Sequence, residues 1–115
     1  MKAKYKALLF TVIAILLASS IYSGLQSMVE RHEKVHQKIF EAFGVKSKIE
    51  IGFLEGTTEP KFDGYETPES LRIIRSLTVM NELVSYQFMT FYLLIAPMIA
   101  GIFIIMLILI LKITK

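Results

Sequence analysis

The chain has 115 residues, a formal net charge of +3 and no cysteine. Its length bounds it to one domain, and the missing cysteine excludes disulfides, thiolate metal sites and thiol nucleophiles. More than half of the residues are hydrophobic, but they gather into two runs, which leaves too little material for a sizeable soluble core.

Residues 1–6 form a basic head with Lys2, Lys4 and Lys6 and no acid. Residues 7–29, Ala7–Val29, then run for 23 positions without a charge, enough to cross the hydrocarbon core of a bilayer as a helix. The same head also fits a secretory signal peptide, with Ala18 and Ser20 at the small-residue positions before a cleavage site. The run outlasts an ordinary signal core, which favours a retained span.

Residues 30–44 continue the helix as an extracytoplasmic stalk. Val35, Ile39, Phe40 and Phe43 keep the apolar 3–4 spacing, with His32 and His36 on the same stripe. Gly44 suits the left-handed residue that ends a helix. Residues 45–66 change period. Val45, Ser47, Ile49, Ile51 and Phe53 alternate with polar or small residues, as in a half-buried strand. Gly56–Pro60 reads as a turn and Lys61–Tyr65 as a short return strand. Such a hairpin is marginal alone, so this cap is expected to lean on the helices or on a partner.

Residues 67–85 start a second helix, with Thr67 as N-cap, Pro68 in the first turn and Glu69 at the positive helix end. It runs on into residues 86–111, within the 29-residue uncharged stretch Leu83–Leu111. Pro97 lies near the middle of that stretch. Residues 112–115 are a tail with Lys112 and Lys115. The ends hold five lysines and no acid, and all ten acids lie between the runs. The positive-inside rule therefore places both termini in the cytoplasm of a multi-pass cell-membrane protein. It also accounts for the basic pI without nucleic acid. The expected fold is an all-α membrane protein: a two-span antiparallel helical hairpin, its helices extending outside the membrane and tipped by a small strand-like cap.

Small residues suggest where helices approach: Ala14, Ala18 and Gly24 on the first span, Ala96, Ala100 and Gly101 on the second. In an antiparallel hairpin the small outer half of the first helix would face Tyr86, Phe88, Phe91 and Tyr92 of the second. Neither span holds an ionisable group, which argues against a lone transporter or proton channel.

His32-Glu33-Lys34-Val35-His36 matches H-E-x-x-H, the spacing that puts two zinc-binding histidines on one helical face with the glutamate as general base. Around it the motif is unconventional. Glu30, Lys34 and Lys38 stand where zinc peptidases of this pattern carry neutral residues. A third ligand is also required, and Glu69 or Glu82 qualifies only if the second helix faces the pair. A substrate cleft and edge strand are not expected from some fifty residues. The pair also admits a pH-sensing role, since protonation would loosen a packed stripe. There is no glycine-rich phosphate loop and no serine nucleophile elbow.

The expectation is a non-enzymatic protein without a cofactor. It would sit in the lipid bilayer and act as an accessory or assembly subunit through other membrane subunits or self-association. Its alternatives are a zinc-dependent membrane peptidase on His32, Glu33 and His36, and a holin-like oligomeric pore.

Overall fold

The computed structural model describes residues 2–114. In chain order it has α1 (Ala3–Ala42), β1 (Lys46–Gly52), β2 (Glu55–Lys61) and α2 (Pro68–Ile113). The protein is thus mostly helical, with two long apolar helices and a small two-stranded sheet. Both helices are long and apolar enough to cross a membrane, by length and composition. The chain forms two compact units, one of the residues up to Gly24 with those from Phe91 onward, the other of Leu25–Thr90.

The first unit pairs the start of α1 with the end of α2. Ala14, Gly24, Ala96, Ala100 and Gly101 lie on half-buried stripes, whereas Ala18 is exposed. The helices approach closely at Gly24, where a Cβ would fall 2.0 Å from Tyr92 Oη. That hydroxyl donates to the carbonyl of Ile21 at 3.0 Å, which gives a buried phenol the partner it needs. Nothing lies within 4 Å of a Cβ built on Gly101, so no close approach occurs there. Phe91 is exposed and points away from this packing. Lys6 Nζ donates to the carbonyls of Leu111, at 2.5 Å, and Thr114. It thereby satisfies orphan acceptors at the negative end of α2. Lys115, assigned to the tail, lies outside the described residues.

The second unit is built by its caps. Gly44 ends α1 at φ +72°. Val45 N donates to Phe40 O at 2.9 Å and Gly44 N to Glu41 O at 3.0 Å, the paired bonds of a Schellman motif. Val45 then packs with Phe40 and Ile74 as the small buried core, and Ile39 and Phe43 lie against it. At the start of α2, Thr67 Oγ1 accepts from Ser70 N at 3.1 Å, which is N-capping as the sequence suggested.

The hairpin differs from the expected one. Gly52 pairs with Glu55, so Phe53 and Leu54 form the turn, and the Gly56–Pro60 tract is strand β2 itself. Lys61 closes β2, and residues 62–65 form no strand. The physical reason is proximity. A two-residue loop costs little closure entropy, and the β-branched Thr57 and Thr58 suit a strand despite their turn-like neighbours. Pro60, opposite Ser47, is tolerated because each strand of a two-stranded sheet has an open edge. The tight loop forces Leu54 to φ 53°. Gln26 of α1 offsets this by accepting from Leu54 N at 2.8 Å and donating to Gly52 O at 2.9 Å. The hairpin therefore leans on α1.

On the outer face of β1, Lys48 Nζ lies 2.9 Å from Glu50 Oε1. That hydrogen bond, with the carboxylate's charge, holds the ammonium above its ordinary pKa. Any stability from this solvated pair is present below lysine's unfolded pKa and fades as pH rises through the raised folded value.

Gly44→Ala tests the cap. The space for a methyl group is open, so the cost is the left-handed backbone alone, about 1–2 kcal/mol. The expected result is faster amide exchange at Gly44 and Val45, with a lower unfolding midpoint in detergent.

Candidate metal centre

His32 and His36 are four residues apart on α1, so one turn stacks their rings on one face. The rings meet edge to face with centroids 4.5 Å apart. Glu82 and Ser85, three residues apart on α2, face them. His36 is buried, at 6% exposure, and His32 and Glu82 are half-buried. The condition set by the sequence is met: the second helix does face the histidine pair, and it does so with Glu82. Glu69 is exposed in the first turn of α2 and takes no part in the cluster.

Three atoms converge. His36 Nε2 is 2.9 Å from Glu82 Oε1, His32 Nε2 is 3.1 Å from the same oxygen, and the two Nε2 atoms are 3.1 Å apart. While Glu82 is ionised, protons alone cannot make all three edges attractive. A ring nitrogen carries either a hydrogen or a lone pair, and an ionised carboxylate only accepts. One proton on one nitrogen leaves the other nitrogen's lone pair facing the carboxylate. A proton on each nitrogen sets two N–H groups against one another. With Glu82 protonated, every edge pairs a donor with an acceptor only if one imidazole nitrogen also carries a hydrogen. A cation bound to all three atoms turns every edge favourable. A tetrahedral zinc ion, with bonds of about 2.0–2.2 Å, spaces its ligand atoms about 3.3–3.5 Å apart. The observed triangle is only a few tenths of an ångström tighter.

The surroundings match a ligand set. Ser85 Oγ is 2.6 Å from His32 Nδ1, the outer contact that fixes tautomer and ring orientation in metal-binding histidines. Asn81 Nδ2 donates to the carbonyl of His32 at 3.2 Å and holds the same turn of α1 against α2.

Glu33, the central residue of the motif, is also buried, at 6% exposure. Thr58 Oγ1 of β2 donates to its Oε2 at 2.5 Å and lies 3.1 Å from its main-chain carbonyl. The other oxygen, Oε1, is 3.9 Å from His32 Nε2. Gly56 packs so closely that a Cβ would lie 2.7 Å from Glu33 Cγ. The hairpin thus clamps the glutamate beside the triad. Of the residues that made the motif's context unusual, Lys34 and Lys38 are exposed and Glu30 is half-buried.

An open cavity of about 590 Å³ borders the site, lined by His32, Glu33, Glu82 and Ser85, by Leu54–Gly56 of the hairpin, and by apolar side chains including Met28, Phe88 and Met89. Ser85, Asn81 and Thr58 were not legible as site residues. Glu82 did carry a signal, as the only charged residue between Arg75 and Lys112.

Comparison with known protein families, with characterised proteins and with solved structures finds no match.

Thr58→Val leaves the buried Glu33 carboxylate without its hydroxyl donor. The expected cost is about 1–3 kcal/mol, read as a lower unfolding midpoint and faster amide exchange along β2.

Proposed function

We propose that this chain is a small two-span membrane protein that binds one divalent transition-metal ion, zinc, through His32 Nε2, His36 Nε2 and Glu82 Oε1. The observation that carries this reading is the triangle of mutually close ligand atoms, which no assignment of protons satisfies while Glu82 is ionised. Two imidazoles and a carboxylate form the donor set of several catalytic zinc sites, and three protein ligands leave a coordination position open. The same set also suits ferrous iron, which elemental analysis distinguishes.

The membrane placement rests on two helices of sufficient length and apolarity and on lysines at both ends of the chain. On this reading Lys6 and Lys112 lie at the cytoplasmic face. The metal site lies outside, since His32 follows the first uncharged run closely and Glu82 immediately precedes the second. The role as a subunit of a larger membrane assembly has only the exposed apolar faces behind it, and lipid covers such faces equally well.

Full-length protein purified in mild detergent is expected to hold about one equivalent of zinc by mass spectrometric elemental analysis. His32→Ala, His36→Ala and Glu82→Ala should each lose it. Ser85→Ala should keep the site but weaken metal affinity by about 10–100-fold. Wild-type protein that takes up no zinc, or a His32→Ala/His36→Ala variant that binds as tightly, overturns the reading. A single cysteine placed at Glu59 should react with an impermeant maleimide from outside intact cells, while one at Lys4 should react only after permeabilisation.

A further inference from the structure

The geometry points to a hydrolytic centre, with Glu33 as general base and a peptide bond flanked by bulky apolar side chains as the substrate class. The inference rests on the metal-binding reading above and goes beyond it.

Glu33 is not a fourth member of the triangle. Its Oε1 lies 3.9 Å from His32 Nε2, but Glu33 stands outside the group whose ligand atoms all lie within 4.8 Å of one another, a place suited to a water on the ion rather than to the ion itself. Its second oxygen is occupied by Thr58, so one carboxylate oxygen is anchored on the hairpin and the other faces the metal position. A group poised to take a proton from a metal-bound water requires that place.

The cavity gives the substrate class. Its volume, about 590 Å³, is within the range of small-ligand sites. Met28, Val29, Phe88 and Met89 give it an apolar wall. Gly56 lines it without a side chain, so main chain of β2 borders the site directly. An extended peptide can use such main-chain groups for register, while its apolar side chains occupy the pocket.

The chemistry balances without a redox partner. The metal ion, when bound, polarises the attacking water. Water's oxygen bonds to the carbonyl carbon as one of its protons passes to Glu33 Oε1. The C–N bond then breaks, and Glu33 delivers that proton to the departing nitrogen. One water and one amide give one carboxylic acid and one amine.

The test uses full-length, zinc-loaded protein in detergent micelles and a set of internally quenched peptides with Leu or Phe on either side of each peptide bond. The expected result is zinc-dependent cleavage, lost on chelation and restored by zinc. Glu33→Gln should still bind one equivalent of zinc yet cleave at least about 10²-fold more slowly, the low end of what general-base catalysis contributes. Glu33→Asp should recover part of the rate. Wild-type protein that holds zinc and cleaves none of the peptides overturns the hydrolase inference and leaves the metal-binding reading standing. So does a Glu33→Gln variant that cleaves at the wild-type rate. Failure of the wild-type protein to bind zinc at all removes both.

Discussion

Two imidazole nitrogens and a carboxylate oxygen held within 3.1 Å of one another are the constraint around which the Leu25–Thr90 unit is arranged. His32, His36 and Glu82 are within hydrogen-bonding distance of each other, and helix geometry keeps them there. A four-residue interval fixes the two imidazoles on α1, and Ser85 and Asn81 bind the facing turn of α2 to His32. Such a cluster is costly to bury unless every polar atom finds a partner. On the proposed reading that partner is a metal ion.

The hairpin can be understood through that site. A two-stranded sheet has little stability of its own, and this one is tied down twice. Gln26 holds its turn through two hydrogen bonds, and Thr58 reaches Glu33. The second tie fixes the carboxylate of the H-E-x-x-H segment while the first keeps Leu54 in an unfavourable backbone conformation. Strain in the loop and order at Glu33 are thus linked through one short strand. The Schellman turn at Gly44 completes the arrangement. It redirects the chain so that Val45 covers Phe40 and β1 can start at Lys46.

Much of this was legible in the sequence where a local rule governs. Two uncharged runs, Gly44 as a stop, Thr67 as a cap and the four-residue histidine spacing each follow from short-range stereochemistry. What could not be read depended on register between distant segments. Glu82 and Glu69 were equally eligible as the third ligand until α2 was set against α1. Thr58 and Ser85 are ordinary residues whose importance comes only from what lies opposite them. The turn was misplaced because Gly56–Pro60 has turn composition, while the pairing of Gly52 with Glu55 put the reversal at Phe53 and Leu54, which carry no turn signal. Among the small residues, Ala14 and Ala18 looked equivalent, yet the twist of the helix turns Ala18 outward and makes Gly24, through Tyr92, a close contact.

Zinc-edge X-ray absorption on the zinc-loaded full-length protein reads most directly which atoms would hold the proposed ion. The account predicts a shell of nitrogen and oxygen ligands at about 2.0–2.2 Å, with the outer-shell scattering of two imidazoles, and loss of that imidazole signal in the His32→Ala/His36→Ala variant. A shell without imidazole scattering, or one that the double substitution leaves unchanged, would contradict it.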